Sequence, residues 1–305
     1  YLAPMMGYTD CYFRNLAEKL YGDNIQTFSE MIVDKAIIYN EINIIQKHFL
    51  KNNKSAIQIA GSDPQEITQA INKINDNELI QHVNFNLGCP SSRVQENMIG
   101  LALTQNQDLV KKCLEKIMEF KGDISVKCRL GLGLEEDKDY IFNYLNLFSN
   151  LGIKEVFVHC RNGVLNLDTK KNRTIPKINY DLFLEFKKNF PKLKLIPNGE
   201  IDNKEKFDLL IENDVSDFMI GRQFVKDLTF LEKLSICKIQ NKQTSINKFF
   251  KEIKNYKFLN LNLIKKSLFT ILTNIPNAKN VRNNISKFQD IDSLEEYFVD
   301  FKIWN

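Results

Sequence analysis

Short apolar runs alternate with longer amphipathic stretches through the first 230 residues of the chain. The short runs are rich in β-branched residues and have the length of strands, whereas the longer stretches repeat apolar residues at helical spacing. The stretch from Ile67 to Ile74 shows that spacing directly after Pro64, a residue that the first turn of a helix tolerates. The strands predicted on this basis are Tyr1–Met5, Thr27–Ile32, Ala56–Ala60, His82–Leu87, Ile124–Arg129, Glu155–His159, Lys194–Pro197 and Asp217–Ile220.

Eight strand–helix units in succession predict a parallel sheet, and eight is the number that closes a (β/α)8 TIM barrel. An open, doubly wound sheet is the alternative architecture. Its nucleotide-binding version carries a GxGxxG motif after an early strand, and this chain has no such motif there. The expected fold class is therefore α/β, a TIM barrel.

The pattern changes after about residue 235, because the segment Lys238–Trp304 contains no convincing strand. Helices are predicted at Phe249–Tyr256, Leu259–Leu272 and Leu294–Phe301, with Pro276 interrupting the run. We therefore expect two domains: a catalytic barrel over residues 1–235 and a small all-helical domain over residues 236–305.

Composition narrows the class of protein. Of the 305 residues, 43% are hydrophobic and 26% are charged, which is ordinary for a globular protein. The apolar runs are too short for a membrane helix, and the N-terminus lacks the pattern of a signal peptide, so a cytoplasmic protein is expected. We also expect a monomer. A net charge of +4 permits nucleic-acid binding without requiring it. The six cysteines form no CxxC pair and no Cys/His cluster, so we expect neither a metal site nor a disulfide framework.

In a TIM barrel the reactive groups gather at the C-terminal ends of the strands and in the loops that follow. Polar residues and glycines cluster at these strand ends, with Lys127 and Arg129 one residue apart and thus pointing the same way. Asn198-Gly199 and Gly221-Arg222, after the last two strands, are interpreted as a phosphate cradle. The alternative interpretation is two ordinary loop turns.

Two further side chains suggest a cofactor in the barrel. A lysine on a buried strand needs a partner, and the electron-rich edge of a reduced flavin would supply one for Lys127. A salt bridge to Glu30 is the alternative. His159, at a strand end near Arg161, is interpreted as functional rather than structural, whereas His48 and His82 are taken as structural or surface residues.

Cys89 stands between Gly88 and Pro90, where the backbone cannot continue a strand, so its thiol is expected on a loop over the barrel mouth. A thiol there can transfer a proton when its surroundings tune its pKa. The other cysteines have weaker contexts. Cys113 and Cys237 fall on helix-like segments, and Cys128 and Cys160 should face away from the barrel interior.

Seven motifs in order resemble the tRNA-dihydrouridine synthases. They are Ala3-Pro4-Met5, Gln58-Ile59-Ala60-Gly61, Asn86-Leu87-Gly88-Cys89-Pro90-Ser91, Val126-Lys127-Cys128-Arg129, Val158-His159-Cys160-Arg161, Asn198-Gly199-Glu200 and Gly221-Arg222. The segments Ser92–Gln95 and Thr169–Pro176 resemble the bacterial branch that modifies D-loop positions 20 and 20a, and Leu268–Ser286 resembles its helical RNA-binding domain. The resemblance covers essentially the whole chain.

The resemblance implies an FMN-containing barrel in which NADPH reduces the flavin and hydride passes from flavin N5 to C6 of a uridine flipped out of tRNA. Cys89 would protonate C5, and Asn86 and Arg129 would contact the uracil. The residues that would hold FMN are Pro4, Met5, Gln58, Lys127, His159, Asn198, Gly199, Gly221 and Arg222.

A buried flavin cannot reach a base inside folded RNA, so the enzyme must grip the RNA while the base is unstacked. The candidates for phosphate contacts are Lys170, Lys171, Arg173, Lys279 and Arg282. Two alternatives stay open. One is an FMN barrel acting on a free pyrimidine, similar to a dihydroorotate dehydrogenase, and the other is a tRNA-binding protein without catalysis.

Overall fold

Six parallel strands form one sheet in chain order in the computed structural model, which describes residues 1–40, 44–51, 54–273 and 275–299. Each strand pairs in parallel with the next along the chain. The strands are β1 Phe28–Val33, β2 Ala56–Ala60, β3 His82–Asn86, β4 Asp123–Arg129, β5 Glu155–His159 and β6 Lys194–Asn198.

Isolated bridges close this sheet into a ring. Leu2 pairs with both Thr27 and Ile220, and Met219 pairs with Asn198 at the end of β6. The segments around Leu2 and Met219 thus occupy the first and eighth positions of a barrel, and the predicted TIM barrel is confirmed.

The predicted strands Tyr1–Met5 and Asp217–Ile220 are reduced to these bridges, so their lengths were wrong. At the first position, Pro4 has no N–H to donate to a ladder. The N–H of Met5 donates to Thr9 Oγ1 (2.9 Å), and its carbonyl accepts from the N–H of Thr9 (3.0 Å). The backbone therefore turns where an extended strand was expected.

Helices of the barrel alternate with the strands, and polar caps mark where several begin. The carboxylate of Asp10 accepts from the N–H groups of Tyr12 and Phe13 at the start of the first helix, and Asp63 caps the fourth ahead of Pro64. The helices are α1 Cys11–Tyr21, α2 Asp34–Tyr39, α3 Ile44–His48, α4 Pro64–Asn75, α5 Ser92–Gln95, α6 Gln107–Ile117, α7 Lys138–Asn150, α8 Tyr180–Asn189, α9 Lys204–Ile211, α10 Arg222–Lys226 and α11 Phe230–Lys233. Short 3₁₀ helices lie at Gly22–Asn24, Ala102–Gln105 and Lys171–Arg173.

Two apolar layers follow from the alternation of side chains along the strands. Inside the barrel, the Phe28 ring contacts those of Phe157 and His82 on strands that are not its neighbours. Between the sheet and the helices lies the larger cluster, which includes Cys113, Cys128 and Cys160. The prediction that Cys128 and Cys160 face away from the barrel interior is confirmed.

Four helices follow the barrel: α12 Lys242–Ile253, α13 Leu261–Phe269, α14 Ala278–Lys287 and α15 Ile291–Val299. The three predicted helices correspond to α12, α13 and α15, although residues 300–301 of the last lie outside the described ranges. Helix α14 was missed, because within it only Val281 and Ile285 among the apolar positions are buried. Cys237, predicted on a helix, lies in a bend after α11.

The C-terminal helices pack on α1. Tyr12 Oη accepts from the N–H of Asn260 (2.8 Å) and donates to the carbonyl of Phe258 (2.7 Å). Ser245 Oγ donates to the carbonyl of Lys19 (2.7 Å). One hydrophobic cluster continues from the barrel's outer layer into these helices. None of the helices in the described ranges is long and apolar enough to cross a bilayer.

Candidate active site at the barrel mouth

The ends of neighbouring strands bring five predicted site residues side by side. In the parallel register, Asn86 pairs with Lys127, Arg129 with His159, and His159 with Asn198. Register partners on parallel strands share a face of the sheet. These side chains therefore line one arc of the barrel at its C-terminal end, as the strand-end rule predicted.

The loop that carries Cys89 is held by two side chains. Asn86 Oδ1 accepts from the N–H of Gly88 (3.1 Å) and the N–H of Cys89 (3.0 Å). Arg129 Nε donates to the carbonyl of Gly88 (2.7 Å), and the carbonyl of Cys89 accepts from the N–H of Leu101 (3.1 Å). The thiol itself is half-buried and packs against a small apolar cluster around Ala60. The backbone of Cys89 is thus fixed, and the residue as a whole remains partly exposed.

These contacts also orient the amide of Asn86. Backbone N–H groups can only donate, so the atom they meet must be the oxygen. The nitrogen Nδ2 then donates to Gln58 Oε1 at 2.8 Å. Asn86 is therefore a hydrogen-bond donor toward any further partner.

Arg129 is buried at 6% exposure, and glycines make room for it. Its Nη1 donates to the carbonyl of Asn162 (3.0 Å). A Cβ at Gly163 would lie 2.7 Å from Arg129 Cδ, so a side chain there would displace the guanidinium. Burial lowers the pKa of Arg129 to about 10, and the group stays charged at neutral pH.

Lys127 has no hydrogen bond or ion pair within the described ranges of the chain. Glu30, the alternative partner considered from sequence, instead accepts from the N–H of Gly7. Burial, reinforced by the charge of Arg129, lowers the pKa of Lys127 to about 8. The interior of the barrel thus contains an ammonium group that this chain's own described acids do not neutralise.

His159 is similarly short of a partner. Its Nε2 is buried and has no hydrogen-bond partner among the described residues. Burial, and after it the positive charges of Arg129 and Lys127, lowers the pKa of His159 well below its ordinary value, so the ring is neutral at pH 7. Gly199 has φ +119°, and a Cβ there would lie 2.8 Å from His159 Cδ2. Glycine at 199 therefore keeps space beside the ring.

The segments of the predicted phosphate cradle lie together. Asn198 Nδ2 donates to the carbonyl of Met219 (2.7 Å), which joins the ends of the seventh and eighth barrel positions. Gly221 faces Met5, whose Sδ would lie 3.0 Å from a Cβ at 221. Arg222 is exposed, with Nη2 3.8 Å from Glu200 Oε1. Pro4 and Met5 are half-buried beside them.

The sequence interpretation missed two features of the site: an ion pair at the mouth and a pair of polar side chains inside the barrel. Glu200 pairs with Arg161, whose side chain is 1% exposed, so the arginine near His159 is bound to an acid rather than free. Asn84 and Ser125 lie inside the barrel and hydrogen-bond to each other (2.8 Å). The signal was present, since Asn84 and Asn86, like Ser125 and Lys127, are two residues apart on a strand.

The basic candidates for RNA contact fall into two groups. Lys170, Lys171 and Arg173 are exposed in the loop after β5, at the mouth. Asn172 holds that loop, since its Nδ2 donates to the carbonyls of Val164 (2.8 Å) and Leu167 (3.0 Å). On α14, by contrast, Lys279 is exposed and Arg282 is half-buried.

Apolar side chains are also exposed in the mouth loops, namely Met6, Leu134 and Ile175.

Among the residues that the structure describes, no group of three or more His, Cys, Asp or Glu side chains could hold a metal ion.

The fold and this mouth define a TIM-barrel protein whose ligand site is built on strand ends and the loops after them. The profile of the dihydrouridine synthase (Dus) family matches residues 1–302. The chain belongs to the dihydrouridine synthase family, and the resemblance seen in its motifs is confirmed.

Curated relatives agree. A tRNA-dihydrouridine(20/20a) synthase of Synechocystis sp. is 31% identical over 225 residues, which are 72% of this chain and 66% of the relative. One of Escherichia coli O6:H1 is 30% identical over 73% of this chain and 67% of its own length. The match to a Pasteurella multocida protein of the same name is 26% over 82% and 77%. The match spans about two thirds of the length of the first two relatives.

Solved structures support the fold. Morphinone reductase superposes with a TM-score of 0.52 at 10% identity, covering 80% of this chain and 87% of its own. TcOYE with pHBA gives a TM-score of 0.51 at 9% identity, covering 85% and 95%. At such low identity these likenesses concern the barrel alone.

Proposed function

We propose that this chain is a tRNA-dihydrouridine synthase that uses FMN and NADPH to reduce the C5–C6 bond of uracil at D-loop positions 20 and 20a. One observation carries the proposal. Cys89 lies on a loop held by Asn86 and Arg129, and Lys127 is the register partner of Asn86, so the thiol is placed next to two cationic side chains. A proton donor next to unneutralised cations suits a reaction that adds hydride and proton to an electron-poor ring.

The mouth fits a flavin on two grounds. Among the described residues, His159 Nε2 is buried without a hydrogen-bond partner, which is costly unless a ligand supplies one. Lys127 likewise has no acid partner in the described ranges. Gln58 uses Oε1 and one N–H within the protein, which leaves its second N–H for a ligand. When bound, the flavin supplies the hydride. The proposed contacts are Pro4, Met5, Gln58, Lys127 and His159 for the ring system and its side chain, and Asn198, Gly199, Gly221 and Arg222 for the phosphate.

Uracil recognition would use donors. Asn86 has one Nδ2 hydrogen uncommitted, and Arg129 donates to backbone carbonyls through Nε and Nη1 only. Both can therefore donate to the carbonyl oxygens of uracil. Hydride arrives at C6, and Cys89 delivers the proton to C5, so the ring gains two hydrogens and the thiolate is then reprotonated from solvent. Every group assigned comes from one chain, so a monomer suffices.

RNA binding would combine charge and apolar contact. Lys170, Lys171 and Arg173 at the mouth would contact phosphates near the extruded base, and Lys279 and Arg282 on α14 would hold a more distant part of the tRNA. The exposed apolar side chains of the mouth loops suit bases that have lost their stacking partners. In this proposal, residues 1–235 carry the chemistry and the RNA contacts next to the extruded base, and residues 236–305 bind the more distant part of the tRNA.

The test is reconstitution with FMN followed by incubation with NADPH and an unmodified tRNA transcript, with dihydrouridine mapped by position. We expect a flavin absorption spectrum and dihydrouridine at 20 and 20a. A protein that cannot be loaded with FMN would refute the proposal. Reduction of a free pyrimidine with tRNA left unmodified would favour the rival barrel oxidoreductase instead.

A further inference from the structure

A continuous chain of side-chain hydrogen bonds crosses the barrel interior and ends at the Cys89 loop. Asn86 Nδ2 donates to Gln58 Oε1 (2.8 Å), and Gln58 Nε2 donates to Asn84 Oδ1 (2.7 Å). Asn84 Nδ2 donates to Ser125 Oγ (2.8 Å), and Ser125 Oγ lies 2.7 Å from His82 Nε2. We call this set the amide chain: His82, Ser125, Asn84, Gln58 and Asn86.

The strand register explains why these residues meet. Gln58 is the register partner of Asn84, and Asn84 is the register partner of Ser125. Their side chains therefore share the inner face of the sheet at adjacent positions. Asn84 and Ser125 are fully buried, and Gln58 is 1% exposed, so water does not compete for these bonds.

The amide chain has a single direction, which the backbone sets. Asn86 Oδ1 faces two backbone N–H groups, so Nδ2 must face Gln58, and each amide in turn must present its oxygen to the one before it. Ser125 accepts from Asn84, and its bond with His82 Nε2 runs in the direction that the imidazole tautomer sets. Turning over any one amide would bring two donors or two acceptors together in a buried place, which is costly.

We infer that Asn84 and Ser125 are positioning residues: through the amide chain they hold Asn86 in the orientation that caps the Cys89 loop and presents an N–H to the substrate. This inference rests on the proposed function, because it deepens the role of the same site. Asn84 touches neither Cys89 nor the loop, and acts by fixing Gln58, which fixes Asn86. If the hydrogen bonds of the amide chain are broken, the reactive groups shift slightly. A misplacement of about 1 Å can lower the rate about a hundredfold.

Asn84→Leu is the main test, since leucine has a similar size but neither accepts nor donates. We expect the single-turnover rate of tRNA reduction to fall by about 10- to 100-fold. The enzyme is saturated with FMN and reduced beforehand, so that a weakened contact of Gln58 with the flavin does not enter the measured rate. Asn84→Asp keeps the acceptor that Gln58 needs, in either protonation state, and should restore most of the rate. If Asn84 only filled space, Asn84→Leu would be the milder change and Asn84→Asp the more damaging one.

A second measurement does not depend on the reaction. Iodoacetamide modification of Cys89 is followed by peptide mass spectrometry, with half-buried Cys237 as the internal reference. In Asn84→Leu the N–H groups of Gly88 and Cys89 lose a fixed acceptor, so the loop opens more often and Cys89 should react about threefold faster or more. The rate at Cys237 should not change.

Ser29→Ala is the matched control. Ser29 is also fully buried and accepts from the backbone N–H of Gln58 (2.9 Å), but it lies outside the amide chain. Its substitution should leave both measurements within about twofold of wild type.

Equal losses in Ser29→Ala and Asn84→Leu would overturn the inference, and so would an Asn84→Leu protein with unchanged turnover and Cys89 reactivity. If Asn84→Leu does not fold, Ser125→Ala replaces it. That change removes the acceptor of Asn84 and should shift both measurements in the same direction by a smaller factor. Unchanged values would contradict the inference. If wild type itself does not reduce tRNA, the proposed function fails, and the Cys89 reactivity alone decides the amide chain.

Discussion

At the N-terminal end of the barrel Lys194 pairs with Glu155 (3.0 Å) and Asp217 (3.5 Å), whereas toward the C-terminal mouth Lys127 has no acid partner in the described ranges. Burial opposes the charge of Lys194, but hydrogen bonds with Tyr1 and Glu155 outweigh it and raise its pKa. Lys194 also keeps 43% of its side chain exposed to water. Burial instead lowers the pKa of Lys127, to about 8.

The difference separates a structural end from a functional one. A buried charge without a partner costs folding free energy, so it persists where a ligand completes it. Lys194 gains its partners on folding and needs no ligand. In the proposed function, Lys127 would gain its partner only when the cofactor binds at the mouth, where His159 Nε2 also lacks a partner among the described residues.

The largest effect expected at the mouth is on the chemical step. Cys89→Ala should lower the rate of tRNA reduction by about 10²- to 10⁴-fold, because it removes the proton donor to C5. Flavin reduction by NADPH, measured by bleaching of the flavin absorption, should be unchanged. Cys237→Ala is the matched control, a half-buried cysteine outside the mouth, and should behave as wild type. Normal dihydrouridine formation by the Cys89 variant would show that another group supplies the proton.

Replacing each of the two lysines by methionine tests the difference between the two ends of the barrel directly. Lys127→Met should weaken FMN binding about 10- to 100-fold and yet stabilise the ligand-free protein by about 1–3 kcal/mol at pH 7, because it removes an unneutralised ammonium. Lys194→Met should leave FMN binding unchanged and destabilise by about 0.2–1 kcal/mol, since its ion pairs are partly exposed. Fluorescence titration and urea unfolding measure the two quantities. Destabilisation by both changes would contradict the assigned difference between the two ends.

A pH series sharpens the same contrast. The folded-state pKa of Lys127 is lowered to about 8, so its charged form destabilises the ligand-free protein below that pH. This penalty disappears as the pH rises from about 8 toward the ordinary lysine value, about 10.4. A ligand that favours the ammonium should bind most tightly below pH 8 and lose up to about tenfold in affinity per pH unit above it. FMN titrations from pH 7 to 9.5 should show this slope in wild type and Lys194→Met, and a persistent slope in Lys127→Met would assign it to another group.

The smallest effect is expected outside the barrel. Replacing both Lys279 and Arg282 with Ala should weaken tRNA binding several-fold and reduce the slope of log affinity against log salt by about 2, one for each phosphate contact. The rate at saturating tRNA should be unchanged, because these residues lie on α14, outside the barrel that carries the reactive groups. The double change of Lys111 and Lys116 to Ala, on barrel helix α6, is the control of equal charge. An unchanged salt slope in the Lys279/Arg282 variant would place the RNA elsewhere.

Local periodicity was enough to predict the barrel and most of its strands. It also placed Cys89 on a loop after a strand and put Lys127 and Arg129 on one face, because alternation along a strand depends only on backbone geometry. Helix α14 escaped because few of its side chains are apolar and buried, so its contribution to the apolar pattern is weak. The short first and eighth positions were overestimated, because the sequence does not show where a turn takes the hydrogen bonds of a strand.

The sequence alone therefore determined which residues stand at the ends of the barrel strands, and that Cys89 lies on a loop after one of them. The tertiary structure decided which polar groups pair: Glu30 with Gly7 rather than with Lys127, Arg161 with Glu200, and Asn84 with Gln58 and Ser125. Such choices depend on the register between strands far apart in sequence and on which acceptors the backbone has already taken. These are properties of the closed barrel. They convert a row of strand-end residues into a candidate site that contains an ammonium group with no acid partner in the described part of the chain, and a thiol on a fixed loop.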